Sequence, residues 1–110
     1  MQDSISLIAN ASKAINNSAI TLTRCLILTY LSYSIDGLQY RELKTILGVS
    51  DGKLISNLKK LVTFDYIKKT EVELDNKKLD VYMITENGKR ELKKIIDWMS
   101  LISAVANVND

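Results

Sequence analysis

The sequence of 110 residues predicts an α+β fold that is mostly helical, within a single domain over residues 1–110. Apolar residues recur at helical spacing in most of the chain, which is the first observation behind this prediction. The second is a pair of strand-like runs around a polar turn at 75–78, as in a hairpin. The third is size, since a chain of this length with 46% apolar residues can bury a core of its own.

The first two helices are predicted at 3–16 and 20–34. Residues 3–16 form an amphipathic helix with a weak apolar face. Residues 20–34 are apolar nearly all round, so this helix must be covered on more than one side. It contains Cys25, the single cysteine, which we interpret as a small buried hydrophobe rather than a redox sensor. Asp36 and Gly37 then end the helix.

Two helices joined by a tight turn follow. The first is predicted over 40–47, with Gly48 as the residue that ends it, and its inward residues are Leu43, Ile46 and Leu47. The second spans about 50–64, with Ser50 as its N-cap. The apolar residues of this helix recur at i, i+4, i+7 and i+8, and those expected to be buried are Leu54, Leu58, Leu61 and Val62. The residues expected to face outward are Lys53, Ser56, Asn57 and Lys60.

Two strands are predicted next, at about 66–74 and 79–84. Thr85 then caps a helix over 86–107, which would be about 33 Å long at 1.5 Å per residue. This helix carries two apolar stripes. The first can close the core and consists of Leu92, Ile95, Ile96, Met99 and Ile102. The second has the 3-4-3 spacing of a helix–helix seam and consists of Trp98, Leu101, Val105 and Val108.

The second stripe requires a cover, and we expect a two-fold partner because symmetric dimers dominate homo-oligomers. In the alternative, the amino-terminal helix folds back and covers the stripe within one chain. The residues expected in the dimer interface are Ile5, Ile8, Leu28, Leu31, Trp98, Leu101, Val105 and Val108. Residues 1–18 are then a helical extension, 20–85 the central unit and 86–107 the dimerisation helix.

The net charge of +2 is unevenly distributed. Residues 1–40 are neutral, residues 41–94 carry four more basic than acidic side chains, and the remainder is acidic. The positive field therefore lies on the segment with the two joined helices and the hairpin. The amino terminus lacks the basic start and apolar core of a signal peptide, and no apolar run approaches the ~20 residues that span a bilayer. A cytoplasmic protein is expected.

Four segments together carry a resemblance to a known family. They read RCLILTYL in the helix at 20–34, LQYRELKTILGVSDGKLISNLKKL across the joined helices, DYI at the first strand and VYMITENGKREL at the second. From about Thr21 to Leu92 the chain resembles the winged helix-turn-helix transcriptional regulators of the MarR, ArsR and PadR kind. It departs from them at Asn57, where a histidine is common, and at Asp65, where glycine is usual. Asp65 is expected to adopt a left-handed backbone, which Asp tolerates better than most residues.

The resemblance implies a sequence-specific regulator that binds double-stranded DNA as a homodimer. The helix at about 50–64 would enter the major groove, and the wing at about 66–84 would lie on the adjacent backbone or minor groove. The residues implied to contact DNA are Arg41, Ser50, Asp51, Gly52, Lys53, Ser56, Asn57, Lys60, Lys77 and Lys78. Lys53, Ser56 and Asn57 are candidates for base edges, and Gly52 would let the backbone approach closely. Arg24 is a further candidate for a phosphate contact.

Other interpretations of the same residues are weaker. With no histidine and one cysteine, the chain lacks the usual groups for catalysis or metal binding, so neither an enzyme nor a cofactor is expected. Lys59, Lys68 and Lys69 are typical of solvated faces. The tyrosines at 40, 66 and 82 are typical of core or hinge positions. The main alternative is a winged helix that serves as a protein–protein module without specific DNA binding. Any small-molecule effector stays unidentified.

Overall fold

A computed structural model describes residues 2–109, except the side chain of Gln2. Its elements are α1 (Gln2–Lys13), α2 (Leu22–Tyr33), β1 (Leu38–Gln39), α3 (Tyr40–Leu47), α4 (Asp51–Thr63), β2 (Ile67–Leu74), β3 (Lys77–Ile84) and α5 (Glu86–Val105). The predicted helices and the hairpin are confirmed. The two-residue strand β1 was not predicted, because so short a segment has no period of its own.

The ends of the elements follow from local chemistry. Gly48 ends α3 in the left-handed conformation with φ 63°, and Ser50 caps α4 by accepting a hydrogen bond from the backbone N–H of Lys53 at 3.3 Å. Asp65 is also left-handed, with φ 60°, as predicted. Thr85 caps α5 by accepting a hydrogen bond from the backbone N–H of Gly88. Each cap satisfies a backbone group that has no partner inside its helix.

The three strands form one antiparallel sheet in the order β1-β3-β2. Within the hairpin, Ile67 pairs with Ile84 and Leu74 pairs with Lys77. The turn is therefore the two residues Asp75 and Asn76, both with positive φ, which matches the right-handed twist of the strands. The predicted turn at 75–78 is too long, since Lys77 and Lys78 already belong to β3.

The core forms around α2, which contacts α4, β3 and α5. Its fully buried large side chains are Ile27, Leu28, Leu31, Leu43, Leu54, Leu61 and Ile67. The assignment of Leu28 and Leu31 to a dimer interface is therefore wrong, because elements of the same chain cover them. Ile46 and Val62, which were expected to be buried, are exposed.

Helix α1 packs along α5, as in the alternative in which the amino-terminal helix folds back. The first predicted stripe of α5 is only partly buried. Leu92 and Ile95 are buried, whereas Ile96 is 53% exposed and Met99 is 54% exposed. In the second stripe, Trp98, Leu101 and Val105 are half-buried and Val108 is exposed. On α1, Ile5 is exposed and Ile8 half-buried. Within residues 2–109, no helix is both long and apolar enough to cross a membrane.

Candidate nucleic-acid interface

Helices α3 and α4 are joined by a polar contact across their turn. The Tyr40 hydroxyl donates a hydrogen bond to Asp51 Oδ1 at 2.6 Å, and Lys44 Nζ lies 2.9 Å from Asp51 Oδ2. The hydrogen bond from Tyr40, followed by that from Lys44, lowers the pKa of the Asp51 carboxyl. Asp51 is therefore an ionised group at the amino end of α4, where it also complements the helix dipole. The ion pair with Lys44 partly neutralises its negative charge.

The outward face of α4 consists of Gly52, Ser56, Lys59 and Thr63, all exposed and spaced by 4, 3 and 4 residues. Lys53 and Lys60 are also exposed and lie at one edge of this face. Lys59 was expected only to be solvated. The helical spacing from Gly52 and Ser56 was the signal that could have placed it in the candidate site.

Asn57 does not lie on this outward face, so the expectation that it reads bases is wrong. It is only 9% exposed, at the boundary between α4 and α2. Its Oδ1 accepts a hydrogen bond from Arg24 Nε at 2.9 Å, and its Nδ2 donates to the Lys53 carbonyl at 2.9 Å. Arg24 is only 8% exposed, and this burial excludes the expected contact with a phosphate.

An open groove lies between α4 and the wing, the β2–β3 hairpin. Its volume is ≈ 620 Å³, and its lining residues are Tyr40, Ile55, Leu58, Lys59, Val62, Thr63, Lys69 and Tyr82. Lys69 pairs with Asp80 across the hairpin at 3.4 Å, so Lys59 supplies the net positive charge of this groove.

A second open cleft of ≈ 490 Å³ brings Arg41 together with Lys77 and Lys78. The cleft forms because β1 pairs with β3, which places the start of α3 beside the wing. Tyr40 lines this cleft as well as the groove beside α4, so the two are adjacent. Lys78 lies 3.8 Å from Glu71, with both side chains largely exposed, and such a pair is weak.

Several basic side chains of this region are available to a ligand. In the part of the chain that the structure describes, Arg41, Lys53, Lys59, Lys60 and Lys77 have no carboxylate at ion-pair distance. All five are exposed. Lys59 lines the groove, Arg41 and Lys77 line the cleft, and Lys53 and Lys60 lie at one edge of the outward face of α4. Such a surface suits a polyanion. Over the same residues, 2–109, no three His, Cys, Asp or Glu side chains are grouped as metal ligands.

This arrangement of two joined helices, a three-stranded sheet and a wing is that of a winged helix. The sequence profile of the winged helix DNA-binding domain family matches residues 23–102. The chain therefore belongs to the winged helix DNA-binding domain family, which confirms the resemblance noted in the sequence. A comparison with curated proteins finds no match.

Solved structures with the same fold include several transcriptional regulators. A transcriptional regulator homologue from Pyrococcus horikoshii superposes with a TM-score of 0.68 at 19% identity, covering 94% of this chain and 93% of that one. A mutant of MepR from S. aureus gives 0.67 at 20% identity, covering 96% and 81%. The M. tuberculosis regulator MOSR, solved in complex with DNA, gives 0.65 at 21% identity, covering 99% and 79%.

Proposed function

We propose that this protein is a transcriptional regulator that binds double-stranded DNA sequence-specifically as a homodimer. Helix α4 enters the major groove, and the wing lies on the adjacent backbone or minor groove. The observation that carries the proposal is the group of exposed basic side chains around one helix face and the neighbouring wing. The MOSR structure, solved with DNA, is of the same fold and supports this interpretation.

The assignment of contacts follows from position. The exposed amino end of α4 presents the backbone N–H groups of Asp51 and Gly52, of the kind that bind phosphate, whereas the N–H of Lys53 donates to the Ser50 cap. Ser56 and Lys59, one and two turns along the same face, reach base edges. Arg41, Lys77 and Lys78 form the cleft that contacts the sugar–phosphate backbone beside the major groove. Contacts of this last kind give affinity without sequence information.

The homodimer is supported by shape and by exposed apolar area. The radius of gyration is 16.4 Å, against about 13 Å for a compact domain of this length, and the extents are 59 × 31 × 24 Å. Ile96 and Met99 on α5 are more than half exposed. Apolar side chains that are exposed together on one helix are typical of a protein–protein interface.

The test is fluorescence anisotropy of a labelled random-sequence duplex, titrated with protein over a series of salt concentrations. We expect binding that weakens steeply with salt, because basic residues that neutralise phosphates release counterions. The variant Lys53→Ala/Lys59→Ala/Lys77→Ala removes three lysines from each subunit of the dimer, so the slope of log affinity against log salt is expected to become shallower by about 5.

A matched control separates position from charge. The variant Lys13→Ala/Lys89→Ala/Lys93→Ala removes the same charge from α1 and α5 and is expected to keep the wild-type slope. Wild-type protein that binds no duplex at low salt would contradict the proposal and favour the protein–protein module. Selection of a preferred duplex from a random pool then tests sequence specificity, which salt dependence alone does not measure.

A further inference from the structure

The buried polar and charged residues among those described are three, and each lies on a different helix. Arg24 of α2 is 8% exposed, Asn57 of α4 is 9% exposed and Glu91 of α5 is 4% exposed. Burial of an ionised group is costly unless hydrogen bonds hold it. The hydrogen-bond partners of these three side chains satisfy the buried groups, and they also connect the three residues to one another.

The first connection runs from α4 to the turn before α2. Arg24 Nε donates to Asn57 Oδ1 at 2.9 Å, and Asn57 Nδ2 donates to the carbonyl of Lys53, one helical turn earlier. The other end of the guanidinium donates from Nη1 to the carbonyls of Ala19 at 2.7 Å and Ser18 at 3.3 Å. Arg24 thus ties α4 to the turn at residues 16–20.

The second connection runs from that turn to α5. The backbone N–H of Asn16 donates to Glu91 Oε2 at 2.6 Å, while Glu91 Oε1 lies 3.3 Å from Lys94 Nζ. Asn16 also closes the turn, since its carbonyl and Oδ1 accept from the backbone N–H of Ala19 at 3.0 and 3.2 Å. A continuous path of polar contacts therefore joins α4, Arg24, the turn, Glu91 and α5.

Contacts of this kind fix orientation better than apolar packing does. Hydrogen bonds are directional, whereas apolar cores of the same volume tolerate small shifts of their helices. Replacing a buried ionic group with an apolar one of similar size is often neutral or stabilising. The network is therefore better explained by the geometry that it imposes than by the stability that it adds.

We infer that Arg24 and Glu91 are positioning residues that fix α4 relative to α5, and thereby set the half-site spacing that the dimer accepts on DNA. The inference rests on the proposed function, because α4 is the helix that enters DNA and α5 contributes to the dimer. Half-site spacing on DNA mirrors the separation of the two recognition helices. A change in the angle between α4 and α5 moves both recognition helices at once.

One experiment measures the positioning without DNA. Spin labels at Thr63→Cys on α4 and Ser100→Cys on α5, in a Cys25→Ala background and diluted with unlabelled protein, give the distribution of the α4–α5 distance. We expect a narrow distribution in the otherwise wild-type chain. It should broaden in Arg24→Met/Asn57→Leu and in Glu91→Met, and stay narrow in Glu91→Gln, which keeps the acceptor for the Asn16 N–H.

The second experiment uses a panel of duplexes that carry the selected half-sites at spacings changed by one or two base pairs. Arg24→Met/Asn57→Leu and Glu91→Met should lose about tenfold of the preference for the best spacing, with random-duplex affinity and salt slope unchanged. Glu91→Gln should keep the preference. A purely structural role would lower thermal stability and all affinities together. If the double variant does not fold, Glu91→Met and Glu91→Gln provide the same comparison.

The outcomes separate the two proposals. Distance distributions and spacing preferences that stay at wild-type values in the folded variants overturn the positioning role. Broadened distributions in a protein that binds no duplex support the positioning role and overturn the proposed function instead.

Discussion

The Tyr40 hydroxyl and the Asp51 carboxylate join the first residues of two consecutive helices, at a distance of 2.6 Å. Their hydrogen bond raises the pKa of Tyr40 to about 12 and lowers that of Asp51. Asp51 was predicted from the sequence as a DNA contact, yet this bond and its pair with Lys44 already occupy both carboxylate oxygens. The contact links the amino ends of α3 and α4 at the surface, while Leu43 and Leu54 hold the two helices in the core.

Tyr40→Phe should raise the pKa of Asp51 toward its ordinary value. Because the folded-state pKa of Asp51 is lowered, its stabilising effect is present above the pKa of the unfolded chain and is lost as pH falls through the folded pKa. The raised pKa of Tyr40 gives a pH dependence of the opposite sign. Its stabilising effect is present below about pH 10 and is lost as pH rises through about 12. Carbon-13 NMR titration of the Asp51 carboxyl checks this, with Lys44→Met as the weaker comparison. An unchanged Asp51 midpoint in Tyr40→Phe would contradict it.

Gly88→Ala should destabilise the fold by about 1–3 kcal/mol. Gly88 lies in the first turn of α5, where an added Cβ would clash with the Tyr66 carbonyl oxygen and stand 2.7 Å from Ile84 Cγ1. The nearest atom is backbone, so no side chain can rotate out of the way. Thermal unfolding monitored by circular dichroism measures the loss. A variant as stable as the wild type would show that α5 does not approach the sheet this closely.

Gly52→Ala provides the contrast, because a Cβ at Gly52 meets nothing within 4 Å. In the first turn of α4 this change should stabilise the fold by about 0.5 kcal/mol, the low end of the range for a glycine in a helix. If the backbone of α4 approaches a phosphate at this residue, the same variant should bind duplex DNA more weakly by about 1 kcal/mol, roughly fivefold. Anisotropy and thermal unfolding on the same preparation separate the two effects. Unchanged affinity would show that the backbone of α4 does not approach a phosphate closely at Gly52.

Cys25 should react slowly with alkylating reagents in the folded protein. The side chain is half-buried, and burial raises the pKa of its thiol, so less of the reactive thiolate is present at neutral pH. The rate of modification by iodoacetamide, compared between native protein and protein unfolded in urea, measures the protection. Equal rates would reopen the interpretation of Cys25 as a redox sensor.

The features that the sequence predicts well depend on near neighbours. Gly48, Ser50, Asp65 and Thr85 each end or begin an element through the backbone within a few residues, and all four behave as predicted. Strand β1 is different, since two residues gain their conformation only from pairing with β3. The cleft that joins Arg41 to the wing depends on that pairing and could not be predicted.

The errors at Asn57, Leu28 and Leu31 have two physical causes. Asn57 lies three residues after Leu54 and four before Leu61, so helical spacing alone places it on the buried face. Its polarity argued against burial, and its partner Arg24 lies 33 residues earlier. For Leu28 and Leu31, an apolar stripe shows that a cover is needed but not whether the same chain or a second copy supplies it.

Ile96→Glu/Met99→Glu should convert a dimer into a folded monomer. Both side chains are more than half exposed in the single chain, so the charges cost little within it, whereas inside an apolar interface they would be desolvated without partners. Sedimentation equilibrium at several protein concentrations measures the mass, and circular dichroism verifies the helices. Arg90→Glu, at an exposed position that faces away from Ile96 and Met99, changes the charge by the same amount, serves as the control and should leave the mass unchanged. A wild-type protein that is monomeric throughout, or a double variant that remains dimeric, would remove α5 from the proposed interface.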